Sequence, residues 1–288
     1  MSELRQYDQR ATAIGYRLAT AARPYCARTS PTLGLTLDAL ERYEFADRPL
    51  AGQELGLTRE LQIVGVTAGG PGDIAGLEVG DELNSIAGRP LALAPSGSPS
   101  HARVEEAYAA IERAGPESIE LGIRRGSTER ILHVAPAIGC DIHLVISTRT
   151  SLSTFTDGHD IDVPVGLFRF AASDDEVAFA VAHEIAHAIF NQHRKAPKSF
   201  KAKRHMELRA DALAVGLMAQ AGFDPSGAVE FWTRFKARDT FGFLRFPDHP
   251  STKYRLNQVR SNVTKLHAGS APSELIAEVM QAELGFSF

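Results

Sequence analysis

Two cysteines, Cys26 and Cys140, are all that this 288-residue chain contains. So few thiols are ordinarily buried and inert. Their positions, each just outside a predicted domain, instead favour a single disulfide and therefore an exported, for example periplasmic, protein, with a cytoplasmic one as the alternative. A positive excess is lacking too. The formal net charge of -4 argues against a general nucleic-acid binder. No apolar run approaches the ~18 residues that span a bilayer. The richest, from Val177 to Phe190, is interrupted by His183, Glu184 and His187. Signal-peptide character is missing from the N-terminus, which runs from Met1-Ser2-Glu3 straight into a helical pattern, so an export signal would have to have been removed. Internal repeats are absent.

What remains is ordinary globular material, 44% apolar and 23% charged, in a length comfortable for two domains. Residues 3–22 read as an amphipathic helix with Leu4, Tyr7, Ala11, Ile14 and Leu18 on one face, stopped by Pro24. From 31 to 136 the signals turn to β structure. A strand at 61–66 ends in a Gly-Pro turn cluster, a helix covers 102–114, and a hairpin joins 119–124 to 130–134. A Pro/Ser/Gly-rich loop spans 94–100. After Pro136 come strands at 142–147 and 161–165, and beyond 173 the pattern is helical. The expected division is thus a helix over 1–30, one domain over 31–136 and another over 137–288.

His183-Glu184-Ile185-Ala186-His187 carries the chemistry. On a helix, positions four apart share a face, so both imidazoles can reach one zinc ion. Glu184 beside them is placed to take a proton from a water that the metal has made acidic. Ser173-Asp174-Asp175-Glu176 has the form of a capping box, and the apolar run from Val177 to Val181 predicts a buried helix. Histidines there are costly unless paired or metal-bound.

A zinc of this kind needs a third ligand. His193 stands six residues after His187, but Phe190 occupies the midway position where the chain would need glycine to turn. Glu207 is the better candidate, on a helix predicted over 204–221 and ended by Gly222. Asp211, four residues on, shares its face and can orient a zinc-binding histidine from behind. The competing reading is a solvated charge pair of Glu207 with Arg209 or Arg204.

These residues resemble metallopeptidase family forty-eight, the gluzincins of the HtpX and CAAX prenyl protease type. The resemblance rests on His-Glu-x-x-His followed by Glu207-Leu208-Arg209-Ala210-Asp211, on His249-Pro250 with Arg255, and on Ser153-Thr154-Phe155 with Asp162 to Leu167 upstream. Ser153 stands where many relatives carry Asn. Without spanning helices, the chain is similar to the soluble branch. The resemblance implies that His249 binds substrate or stabilises an oxyanion, and that Arg255 orders the site by pairing with an acid. Read alone, His249-Pro250 is a helix entry with Ser251 as N-cap.

The stretch Ala75-Gly76-Leu77 to Ile86-Ala87-Gly88 resembles a PDZ domain of the bacterial protease type. That resemblance makes Leu33-Gly34-Leu35 a carboxylate-binding loop and implies that a peptide adds as a strand beside residues 35–38, against the helix at 102–114. The fold expected is α+β: a PDZ-like β-sandwich or barrel followed by a mostly helical zincin domain with a small sheet. The function expected is a Zn2+ endopeptidase acting on peptides or unfolded proteins, with the PDZ-like domain recruiting substrate or regulating, in the setting of protein quality control. The alternatives are a PDZ-based binding protein with a latent metallo-domain and a zinc hydrolase for other substrates.

Overall fold

The computed structural model describes residues 2–92, 98–191, 199–238 and 250–284. Two compact units divide the chain: Met1–Tyr16 with Arg28–Cys140, and Arg17–Ala27 with Asp141–Phe288. The first helix, α1 (Ser2–Ala22), gives its residues up to Tyr16 to the first unit. Tyr7, Ala11, Ile14 and Leu18 are buried as their spacing predicts, while Leu4, the first of that stripe, is 38% exposed. Cys26 and Cys140 are disulfide-bonded, and no cysteine is free.

In the first unit the elements follow in the order β1 (Thr29–Thr32), β2 (Leu35–Asp38), α2 (Arg48–Leu55), β3 (Leu61–Val66), α3 (Pro71–Ile74), β4 (Glu82–Ile86), β5 (Arg89–Pro90), α4 (Ala102–Ala114), β6 (Ile119–Arg125), β7 (Thr128–Val134) and β8 (Ala137–Cys140). A sheet in the order β2-β3-β4-β6-β7, with β5 paired to β4, is antiparallel throughout. β1 pairs with β8 by itself. In β6 the alternation puts Ile119, Leu121 and Ile123 inside. The β6–β7 hairpin closes through Gly126-Ser127, with Arg125 opposite Thr128. Gly126 takes φ +60°, the sign that a two-residue hairpin turn needs at its first position. Leu37, Ile63, Leu83 and Ile86 form the core with Val104, Ala107 and Ile111 of α4. Each large aliphatic side chain buried this way contributes about 1.5–3 kcal/mol.

The second unit holds β9 (His143–Ser147), β10 (Phe155–Thr156), β11 (Asp160–Pro164), α5 (Val165–Phe170), α6 (Asp174–Ile189), α7 (Phe200–Gln220), α8 (Ser226–Arg238), α9 (Thr252–His267) and α10 (Pro272–Leu284). Its sheet runs β10-β11-β9, parallel between β11 and β9 and antiparallel between β10 and β11. α6 packs against α7 and α8, and α7 against α9 and α10. No helix among the described residues is long and apolar enough to cross a membrane. A Cβ on Gly166, at the start of α5, would run into the carbonyl oxygens of Thr150 and Ser151. Glycine there lets the segment before β10 lie against the helix.

Ser173 caps α6 by accepting from Glu176 N at 3.3 Å. The reciprocal half of the expected capping box is replaced: Glu176, fully buried, takes both 3.0 Å hydrogen bonds of the Arg234 guanidinium. α7 begins at Phe200 rather than 204, because Ser199 accepts from Ala202 N and supplies the cap.

Candidate metal centre and cleft

α6 is apolar almost all round, and Val177 to Ala182 are buried. Its two histidines leave that environment together. His183 Nε2 and His187 Nε2 stand 2.9 Å apart, as the four-residue step on one helix face allows. α7 brings Glu207 up to them, with Oε2 3.5 Å from His183 Nε2 and Oε1 3.6 Å from His187 Nε2. Ligand atoms about 2.0–2.1 Å from a tetrahedral zinc lie roughly 3.3 Å from one another. The three separations bracket that value.

Asp211, one turn along α7, places Oδ1 3.0 Å from His183 Nδ1, a charge contact rather than an aligned hydrogen bond. Arg255 of α9 holds the same carboxylate. Its Nε and second guanidinium nitrogen each donate at 2.7 Å to Asp211, and its third nitrogen lies 3.0 Å from Glu207 Oε2. The guanidinium also sits 4.2 Å over the Trp232 ring.

Electrostatics follow from this packing. Burial opposes a charge on His183, but the carboxylates of Asp211 and Glu207 outweigh it and push the ring up to about 10. Burial likewise opposes charge on Glu207, yet His183, Arg255 and His187 hold its carboxyl well below the usual range. The Asp211 carboxyl is depressed for the same reason, by Arg255 and His183 against burial. Two imidazoles and a carboxylate at this spacing, with a second buried carboxylate behind one ring, are a donor set and a charge that fit zinc.

These residues open on a cleft of about 460 Å3. Its lining includes the segment Leu152 to Thr156 and the aromatic side chains of Phe179, Trp232 and Phe235. Glu184 is buried, and its Oε1 accepts a 2.9 Å hydrogen bond from Thr154 Oγ1. β10 is an edge of its sheet, with Phe155 exposed beside the cleft.

Of the residues singled out in the sequence, the structure thus brings His183, Glu184, His187, Glu207, Asp211 and Arg255 into one cleft. His193 and His249 lie outside the described residues. Thr154 and Trp232 were not read as site residues. Thr154 had a signal in the upstream match Ser153-Thr154-Phe155, whereas a lone tryptophan in α8 gave none.

In the first unit, Gly34 takes φ +67° and its carbonyl accepts from Thr67 N at 2.8 Å. Leu33 O accepts from Gly72 N at 3.0 Å. β2 is the end strand of the sheet, and its outer edge faces α4. Tyr108 occupies that edge: its hydroxyl accepts from Leu37 N at 2.9 Å and donates to Leu35 O at 3.2 Å. Burial, chiefly, pushes the Tyr108 hydroxyl up to about 12, so it stays neutral.

Comparison with protein families gives a match to Peptidase family M48 over residues 192–263. The matched segment contains Glu207, Asp211 and Arg255 and begins after His187. No curated protein matches. Among solved structures, the chain is similar to the HtrA3 PDZ domain bound to a phage-derived ligand, with 17% identity over 38% of this chain and 89% of that one, at a TM-score of 0.28. It is also similar to the HtrA-type protease AlgW with a decapeptide, with 22% identity over 38% of this chain and 30% of that one, at a TM-score of 0.29.

Proposed function

We propose that the second unit is a zinc-dependent endopeptidase, with His183, His187 and Glu207 as metal ligands and Glu184 as general base. The observation that carries this reading is the convergence of two imidazoles and a carboxylate at tetrahedral spacing, in a cleft that also contains a buried glutamate. The match to Peptidase family M48 supports it independently through the residues of α7 and α9.

Zinc held there would bring a water's pKa near neutrality and polarise a carbonyl. The chain's own groups do the rest. Thr154 keeps Glu184 in place through its hydroxyl, so the free carboxylate oxygen can accept the nucleophile's proton and later pass it to the leaving amine. Arg255 fixes Asp211, and Asp211 fixes the His183 ring. An extended peptide adds beside the edge strand β10, and the aromatic wall of Phe179, Trp232 and Phe235 excludes water around an apolar side chain. His249 is assigned to substrate or oxyanion binding on the family resemblance.

The first unit, in this reading, is a PDZ-like module in which Leu33, Gly34 and Leu35 receive a peptide terminus. It recruits or regulates, and the protein serves quality control outside the cytoplasm, in keeping with the Cys26–Cys140 bond. The test measures zinc content and casein cleavage by the full chain beside Glu184→Gln. The amide keeps the shape but cannot take the proton, so zinc is retained while turnover falls by about 100- to 10,000-fold. Zinc binding without cleavage by the parent chain would leave a binding protein with a latent metallo-domain.

A further inference from the structure

The second unit carries another set of metal-ligating side chains, at the N-terminal ends of β9 and β11. We propose that Asp141, His143 and His159 form a second divalent transition-metal site, which pins the turn between β10 and β11. The proposal does not depend on the chemistry assigned to the cleft.

One ligand atom from each of the three residues lies within 4.8 Å of the other two. His159 Nδ1 is 3.4 Å from Asp141 Oδ1, and the two imidazole rings meet edge-on at 4.3 Å between centroids. Asp160 lies beside this group without belonging to it, with Oδ1 3.7 Å from His143 Nδ1 and 4.0 Å from the other ring nitrogen of His159, Nε2. Among the three ligands one separation is 3.4 Å and the others reach no further than 4.8 Å, against ~3.3 Å in a closed tetrahedral shell, so side-chain rotation has to draw the ligands together around an ion. All three proposed ligands are partly exposed, and ligation through His159 Nδ1 would replace its present 3.2 Å contact with the Asp141 backbone carbonyl.

The backbone beneath them is already set. His143 and Asp160 are register partners in the parallel pair, and His143 N donates to His159 O at 2.8 Å. Asp157 Oδ1 accepts from both His159 N and Asp160 N, at 2.9 and 2.8 Å. Gly158 turns the chain at φ +99° while its N donates to Thr156 Oγ1. The ligands are thus presented by an ordered turn, which lowers the conformational cost of binding.

Two imidazoles with one carboxylate suit zinc, cobalt, nickel or copper; calcium and magnesium prefer oxygen alone. The site lies on the turn that delivers β10, whose residues Phe155 and Thr156 line the cleft. An ion there ties β9 to the base of that wall. It would act by stiffening the strand, without contact with substrate.

The experiment uses the full chain stripped with a chelator, then titrated with Zn2+ and measured by elemental analysis after gel filtration. The parent chain is expected to take up two equivalents, and both His143→Ala/His159→Ala and His183→Ala/His187→Ala one each. Circular dichroism checks that each variant is folded. His159→Gln, made in the His183→Ala/His187→Ala background, should weaken the remaining site by about tenfold or more, and excess Ca2+ should not displace the ion. A folded His183→Ala/His187→Ala protein that holds no zinc, or holds it unchanged by His159→Gln, overturns the proposal and leaves Asp141, His143 and His159 as ion pairs only. Loss of zinc on His143→Ala/His159→Ala alone, with none on His183→Ala/His187→Ala, would support this site and sink the reading of the cleft.

Discussion

Arg255 grips both carboxylate oxygens of Asp211 with two hydrogen bonds of 2.7 Å, and one of those oxygens, Oδ1, also stands 3.0 Å from His183 Nδ1. Asp211 is 1% and Arg255 7% exposed, so neither charge has water to fall back on. Truncating one partner of such a buried pair leaves the other uncompensated and costs about 3–5 kcal/mol. Arg255→Ala is therefore expected to lower the urea midpoint strongly at neutral pH and to weaken zinc binding. Arg255→Lys keeps the charge but loses the planar fork, and should fall between. Equal stability of all three proteins in urea would mean that the pair does not support the site.

Glu207→Ala should abolish zinc uptake in the cleft, while His193→Ala should leave it unchanged. The basis is the carboxylate standing 3.5–3.6 Å from both imidazole nitrogens. Phe190 adds to it. It ends α6 in ordinary right-handed conformation, buried, with Arg209 stacked 4.1 Å over its ring. The opposite pattern in elemental analysis would shift the third ligand to His193 and remove the gluzincin assignment.

The cleft was legible in the sequence to the extent that its logic is local. The four-residue step fixes His183 against His187 on any helix, and the same step relates Glu207 to Asp211. Phe190 in place of glycine is the local argument for Glu207 over His193, which lies outside the described residues. Other features were closed to a one-dimensional reading because they join distant segments. Glu176 looked like half of a capping box, but Arg234, 58 positions away, claims it. Arg103 forms a buried pair with Glu41 across 62 positions, with no mark in either local pattern. The histidines at 143 and 159 became neighbours only through the parallel register of β9 and β11.

Asp8 provides a pH dependence. Burial, the largest influence, together with Asp38 raises its carboxyl from 3.8 to about 6, against the pull of Arg42 and Arg5. A folded-state value above the unfolded one means that the native protein binds the extra proton between these two pH values. Stability then falls as pH rises from about 4 to about 6, and the penalty stays in full above that. Two units would correspond to nearly 3 kcal/mol, which partial exposure reduces to about 1–2 kcal/mol. Asp8→Asn should stabilise the protein by this amount at pH 7, gain little at pH 4, and flatten the slope between. Urea denaturation at both pH values measures it, and a variant less stable at pH 7 than at pH 4 relative to the parent would refute the assignment.

Tyr108 bears on the PDZ-like reading. A peptide strand that adds to β2 must pair with Leu35 O and Leu37 N, the two backbone groups that the Tyr108 hydroxyl already holds. On the proposed PDZ-like reading, a peptide strand would have to displace this hydroxyl from both groups. Each neutral hydrogen bond contributes about 1 kcal/mol net, so giving up the pair weakens peptide binding by roughly tenfold or more. Tyr108→Phe keeps the ring against α4 and β2 but frees both groups. A labelled peptide with an apolar free C-terminus should therefore bind the full-length Tyr108→Phe protein about tenfold more tightly than the parent, with a small loss of folding stability. Fluorescence anisotropy measures the difference. Equal affinity would show that Tyr108 does not gate the edge, and no binding to either protein would remove Leu33, Gly34 and Leu35 as a peptide site.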